Sequence, residues 1–179
     1  MPGYEPMSFH LATARLTMQP WAEGDAGALR DLHAERGGWT PTVEETRDII
    51  AGGLASAAET GIALLPIRRR EEGDFIGYCG LTVGRATLDE PEIAYELFKR
   101  VHGNGYATEA AAAVLEAAAM TGRERLWSTV RTWNTASFRV LEKIGFERDH
   151  VTTDDRGEIV WLTRELRRGR PWPTGPDSR

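Results

Sequence analysis

The stretch that most limits what this chain can fold into runs from Glu92 to Arg131. Glu92-Ile93-Ala94-Tyr95-Glu96-Leu97-Phe98 reads as a strand. Arg100-Val101-His102-Gly103-Asn104-Gly105-Tyr106-Ala107-Thr108-Glu109 reads as a glycine turn that opens a helix. The alanine-rich run from there to about Met120 favours helix, and its small side chains let it lie close to a sheet. Gly122 is a stop signal, and Leu126 to Arg131 is a strand by composition. Strand, turn, helix, strand is a crossover, which places the two strands parallel. The turn is also an anion device: its glycines let the backbone approach a ligand, and unpaired N–H groups at the helix start point at it.

The flanks predict one mixed α/β domain, which a chain of 179 residues suits. Residues 1–12, with two prolines and a glycine, read as a loose lead-in to a domain spanning 13–167. Arg15 to Trp21 alternates like a strand. Asp25 is placed to cap a helix carrying Leu29, Leu32 and His33, which Gly37-Gly38 ends. Thr42 or Thr40 caps a second helix reaching about Thr60, with Glu45 near the capping-box position. Gly52-Gly53 weakens its middle and leaves open whether it is one helix or two. Gly61 to Arg69, a turn, and Phe75 to Val83 read as a hairpin, and Asp89-Glu90-Pro91 turns into the Glu92 strand. Asn134 begins a short helix ended by Gly145. A hairpin of Phe146–Thr153 and Glu158–Leu166 follows, then a tail at 168–179 expected to be disordered.

Composition narrows the function. A net charge of −5 gives no electrostatic case for nucleic acid or an anionic membrane. The single cysteine, Cys79, excludes an intramolecular disulfide and any multi-cysteine metal site, and it reads as a buried small residue. His33, His102 and His150 show no metal-ligand spacing, so no metal is expected. With no leader pattern and no membrane-length apolar run, a cytoplasmic protein is expected. The glycine turn lacks the Gly-Lys-Ser/Thr ending of a Walker P-loop, because Tyr106-Ala107 follows Gly105. It also lacks the third small residue of a dinucleotide fingerprint, because Thr108 stands there.

Three separated blocks carry a resemblance. Arg100-Val101-His102-Gly103-Asn104-Gly105 resembles the acetyl-CoA signature Gln/Arg-x-x-Gly-x-Gly/Ala of the GNAT N-acetyltransferases. Glu92-Ile93-Ala94-Tyr95, the turn through Ala110, Asn134 to Phe146, and Thr13 to Trp21 followed by Asp25 resemble the branch that holds the ribosomal-protein N-terminal acetyltransferases. The resemblance implies a mostly antiparallel mixed sheet of about seven strands with about four helices. That sheet would be splayed between its fourth and fifth strands, with coenzyme A in the gap. Backbone N–H groups across Val101, Gly103, Asn104, Gly105, Tyr106 and Ala107 would hold the pyrophosphate, as the bottom-up reading also requires. Backbone groups of Leu97 and Phe98 would pair with the pantetheine arm, helped by Asn134 and Ser137. Asn134 equally suits a helix N-cap. Arg100, Arg139 and Lys143 lie near the expected phosphates, but solvated surface charge is the simpler reading of each.

The implied chemistry is acyl transfer from acetyl-CoA to a primary amine, on a peptide N-terminus or a small molecule, without a covalent enzyme intermediate. The amine must lose a proton before it attacks. Glu92 and Glu96 share one side of their strand, and a bulge near Leu97 would aim one at the amine; they rank equally as base, beside the reading of both as solvated charges. The tyrosine that serves as acid in many members is replaced by Leu141, so Ser137, one turn earlier, becomes the candidate acid. Tyr95, Trp39, Trp133 and Phe75 are candidates for an acceptor pocket, with core packing the simpler role. A coenzyme-A-binding regulatory module with little catalysis is the alternative, and a homodimer fits the family's habit.

Overall fold

Capping chemistry decides where the helices start. In the computed structural model, which describes residues 3–166, the Glu45 N–H donates to the Thr42 hydroxyl and the Thr42 N–H donates to the Glu45 carboxylate. This reciprocal box opens α2 (Val43–Thr60), and Gly61 closes it in a left-handed conformation at φ 72°. Gly52 and Gly53 do not divide α2, which is one helix of 18 residues. α1 (Ala26–Ala34) follows a short 3-10 turn at Glu23–Asp25. Asp25 makes no side-chain bond into α1, contrary to the expected cap. Its carboxylate accepts from the Ala22 N–H and pairs with Arg68 of the sheet.

Eight strands form one sheet: β1 (Leu11–Ala12), β2 (Leu16–Met18), β3 (Leu64–Arg69), β4 (Phe75–Thr82), β5 (Glu92–Leu97), β6 (Arg125–Arg131), β7 (Glu147–Asp154) and β8 (Gly157–Glu165). Their order is β1-β2-β3-β4-β5-β6-β8-β7. Every neighbouring pair is antiparallel except β5 and β6, which the crossover helix α3 (Tyr106–Ala119) joins in parallel. The strand beyond the expected seven or so is β1, in the segment read as a loose lead-in. That segment is tied down: the Glu5 N–H donates to the Thr121 carbonyl at 3.0 Å and the Met7 N–H to the Gly61 carbonyl at 2.9 Å. Met7 is buried, and Phe9 and Leu11 pack on the same core. Apolar residues at 7, 9 and 11 have the strand period, which the neighbouring prolines obscured. The tail at 168–179 lies outside the described residues.

The two halves of the sheet are each well paired and barely paired to one another. β4 and β5 are in register from Thr82↔Glu92 to Gly77↔Leu97, and β6 and β8 from Arg125↔Glu165 to Arg131↔Ile159. Between β5 and β6 the one paired position is Glu92↔Trp127. Beyond it the strands diverge and leave an opening beside the C-terminal half of β5. α3 and α4 (Thr135–Lys143) bury Ala110, Val114, Phe138 and Leu141 against Ile93, Leu97, Leu126 and Leu162. α1 and α2 cover the other face, where Leu29, Leu32 and Ile50 meet Phe75. No described helix is long and apolar enough to cross a membrane, and no group of three metal-ligating side chains occurs among the described residues.

β4 approaches the end of β5 closely because Gly77 has no side chain. A Cβ there would lie 2.1 Å from the Glu96 carbonyl oxygen. Gly77→Ala is expected to destabilise the protein by about 1–3 kcal/mol. Gly52→Ala, in open space on α2, is expected to stabilise it by about 0.5–1 kcal/mol. Urea unfolding of both variants against wild type checks the pair.

Candidate active site

The open edge of β5 presents a short row of free backbone groups. The Phe98 N–H donates to the Ile76 carbonyl of β4 at 2.9 Å, whereas the Pro91 and Ile93 carbonyls accept from the Trp127 N–H and the Ser128 hydroxyl of β6. Alternation therefore turns the odd-numbered residues toward the opening. The N–H and C=O of Tyr95 and the N–H of Leu97 face it. The Leu97 carbonyl is already met by His102 Nε2 at 2.9 Å. Of the two positions expected to pair with a pantetheine arm, Leu97 thus has its N–H on the open side, and Phe98 has spent its own on β4.

The glycine turn supplies a denser set of donors. The Val101 and His102 N–H groups are used inside a 3-10 turn at Lys99–Val101, donating to Phe98 and Lys99 carbonyls at 3.1 Å. Val101 is therefore removed from the expected pyrophosphate ligands. From Gly103 to Thr108 no backbone N–H has an acceptor among the described residues, and the next, from Glu109, donates to the Gly105 carbonyl at 3.0 Å. Gly103 at φ 79° and Gly105 at φ 78° take a left-handed conformation that resists an L side chain. The Asn104 amide donates to the Val101 and His102 carbonyls at 2.9 and 3.2 Å and holds the turn closed. Arg100 does not face this cradle: its guanidinium bonds Asp74 and the Phe75 carbonyl, both at 3.1 Å. Arg139 and Lys143 are exposed on α4.

A clamp that the sequence reading did not single out fastens the turn to the sheet. Arg15 donates to the Asn104 carbonyl at 3.0 Å, lies 4.5 Å from the Tyr106 ring centroid and pairs with Glu109. Glu109 also accepts from the Thr13 hydroxyl at 2.6 Å and the Arg15 N–H at 2.9 Å. Burial pulls the Glu109 carboxyl upward, but the hydrogen bonds from Thr13 and Arg15 outweigh it and hold the group below its usual range. Both residues lay inside the family-like blocks. Their separation of 94 positions hid the pairing.

The two candidate bases sit on one side of β5, as alternation requires, in unlike surroundings. Glu92 is 5% exposed, and its carboxylate accepts from the Arg85 N–H and from the Thr129 hydroxyl at 2.8 Å. It fastens the loop after β4 and is no free base. Glu96 stands opposite Tyr78 and accepts from the Tyr78 hydroxyl at 2.9 Å and from Arg36 Nε and Nη2. The bulge expected near Leu97 is absent: the β4–β5 register is unbroken. Burial, then the Glu96 charge, pushes the Tyr78 phenol upward. His33 nearby is held below its ordinary value, first by burial and then by Arg36, with Glu96 opposing.

Across the opening, Asn134 caps α4 by accepting from the Ser137 N–H at 3.2 Å. The Tyr95 hydroxyl donates to the Ser137 carbonyl at 3.1 Å and so bridges β5 to α4. Leu141 is fully buried. Phe75 is core, and Trp39 and Trp133 are exposed on loops. Cys79 is fully buried, and burial pushes its thiol upward.

A sheet opened beside an N–H-rich helix start has known counterparts. Residues 15–147 match the acetyltransferase (GNAT) domain. The chain belongs to the GNAT acetyltransferase family. An acetyltransferase of known structure from Agrobacterium tumefaciens str. C58 is 32% identical and covers 87% of this chain and 93% of its own at a TM-score of 0.73. RimL, a ribosomal L7/L12 alpha-N-protein acetyltransferase solved in complex with coenzyme A, is 16% identical, covers 90% of this chain and 98% of its own, and has a TM-score of 0.75; that likeness is one of fold. YkkB of Bacillus subtilis (strain 168) is 32% identical over 104 residues, 56% of this chain, and the match spans 60% of that relative's length. The matched GNAT domain thus spans both the splayed strands β5 and β6 and the glycine turn.

The clamp has a pH signature. The Glu109 carboxyl titrates lower in the folded state than in the unfolded one. Its stabilisation is therefore present in full above the unfolded value and lost as pH falls through the depressed folded value. The melting-temperature difference between wild type and Glu109→Gln is expected to stay constant from about pH 7 to about pH 5 and to shrink below about pH 4. Thermal scans across that range measure it.

Proposed function

We propose that the protein moves the acetyl group of acetyl-CoA to a primary amine by direct attack. The observation that carries this reading is the unbroken run of unpaired N–H groups from Gly103 to Thr108 at the start of α3, beside the open edge of β5. A diphosphate satisfies such donors and the helix dipole together. Gly103, Asn104, Gly105, Tyr106 and Ala107 would hold it. The pantetheine arm would add to β5 like a short strand, using the Leu97 N–H and the Tyr95 backbone, as extended ligands do at sheet edges. The Asn134 oxygen serves the α4 cap, which leaves its NH2 for the arm. One N–H on β5 would polarise the thioester carbonyl.

Glu96 is the carboxylate we assign as base. It faces the α1–α2 side of the sheet and is 23% exposed, whereas Glu92 is enclosed. An incoming ammonium competes for Glu96 with Arg36, a guanidinium that is 52% exposed and free to swing into solvent. Glu96 would accept one proton from the ammonium, the neutral amine would attack the carbonyl, and the tetrahedral intermediate would collapse with loss of the thiolate, which takes up the second proton of the nitrogen by way of the Ser137 hydroxyl. The Ser137 hydroxyl, on the first turn of α4, would donate to the sulphur. Buried Cys79 is in no position to carry an acyl group, so the acetyl passes directly to nitrogen. The acceptor is a peptide N-terminus or a small molecule.

Glu96→Gln is expected to lower kcat by about 10²–10⁴-fold, and Ser137→Ala by about tenfold or more. Coenzyme A affinity, measured by calorimetry, should hold within about twofold in Glu96→Gln, which touches neither the N–H cradle nor the arm. Unchanged kcat in Glu96→Gln at saturating amine would overturn the base assignment. Tighter binding of ATP than of coenzyme A would overturn the cofactor.

A further inference from the structure

α2 turns Thr46, Ile50 and Ala57 inward. Gly53 falls between Ile50 and Ala57 at the same helical spacing, yet it is exposed. A helix interior is a poor place for glycine, and no close backbone approach demands one here: a Cβ at Gly53 would meet nothing within 4 Å. Gly53 lines a cavity of about 260 Å³ between α2 and the sheet, and its missing side chain leaves that stretch of the wall open. The lining includes Trp21, His33, Ile50, Ser56 and Tyr78, and holds no Asp, Glu, Lys or Arg among the described residues. His33 is held toward its neutral form by burial. Tyr78 forms part of the wall, and its hydroxyl donates to Glu96 at 2.9 Å. The lining is therefore uncharged, and just past Tyr78 lies the Glu96 carboxylate, whose partner Arg36 an incoming ammonium would replace.

We infer that this cavity receives the body of the acceptor, and that the acceptor is a primary amine with a single positive charge and a compact, uncharged, mainly apolar body. The inference rests on the assignment of Glu96 as base. One carboxylate matches one ammonium. Each further ammonium of a polyamine or aminoglycoside would be desolvated against Trp21, Ile50 and His33 with no counter-charge, which is strongly unfavourable. The volume also lies below the range usual for drug-sized ligands, which selects a small body. Gly53 is then a specificity determinant: its absent side chain leaves the wall open.

The test compares 2-phenylethylamine and hexylamine with spermidine and kanamycin as acceptors for the full chain, reading coenzyme A release. The apolar monoamines are expected to exceed both polycations by about tenfold or more in kcat/KM. Gly53→Leu, which adds a better helix former where space is open, should match or exceed the melting temperature of wild type and keep its coenzyme A affinity. It should raise KM for the monoamines about tenfold or more. Preference for a polycation, or an unaltered KM in Gly53→Leu, would overturn the inference while leaving acetyl transfer standing. If no amine is acetylated, the proposed reaction fails, and calorimetry of 2-phenylethylamine binding still reads the cavity. Binding that Gly53→Leu weakens tenfold supports the inference, whereas equal binding or none by wild type overturns it.

Discussion

The meeting of β5 and β6 at one paired position, Glu92↔Trp127, is the constraint on which the rest of the structure depends. A parallel pair normally buries its backbone polar groups in a continuous ladder. Here each strand is drawn to its other neighbour along its full length, and the ladder stops after one step. The divergence leaves Tyr95 and Leu97 with backbone groups facing an opening. It also sets the start of α3 and the first turn of α4 on either side of that opening. Two bonds limit it: Ser128 to the Ile93 carbonyl at the closed end, and Tyr95 to the Ser137 carbonyl across the gap.

The same divergence separates two carboxylates that look equivalent on paper. At Glu92 the halves still touch, so its side chain is enclosed by Thr129 of β6 and by the loop that Arg85 contributes. Enclosure with matched donors makes a carboxylate a structural fastener. Glu96, four residues on, has Tyr78 as its cross-strand partner and Arg36, a half-exposed arginine in the turn after α1, as its counter-ion. A counter-ion that reaches solvent is exchangeable. The chemistry assigned to β5 therefore belongs to the end where the sheet opens.

Unpaired N–H groups are useful to a ligand only when held still. The glycines allow the turn its left-handed geometry but do not stiffen it. Stiffness comes from Arg15, which binds the Asn104 carbonyl, the Tyr106 face and Glu109 at once, and from the Asn104 amide. The β1–β2 turn thus braces a cradle nearly a hundred residues along the chain, and the alanine-rich side of α3 lets the helix sit close enough for that reach.

The amino-acid sequence by itself determined the elements and the glycine turn. Periodicity, the Thr42–Glu45 cap and the Gly103–Gly105 turn are local, and local physics suffices to read them. The β1 segment was missed because prolines masked its alternation. The crossover was legible for the same reason: strand, turn and helix are contiguous. Tertiary structure alone decided that the Phe98 N–H does not stay free, since it is lost to Ile76 of β4, a neighbour that only the fold supplies. It also decided that Glu92 is enclosed and Glu96 reachable, that Arg100 turns away from the turn and Arg15 toward it, and that Gly53 lines a cavity where two helices had been an alternative to one. Each of these depends on a partner far away in the chain, and exposure and pairing are properties of packing that no local pattern contains.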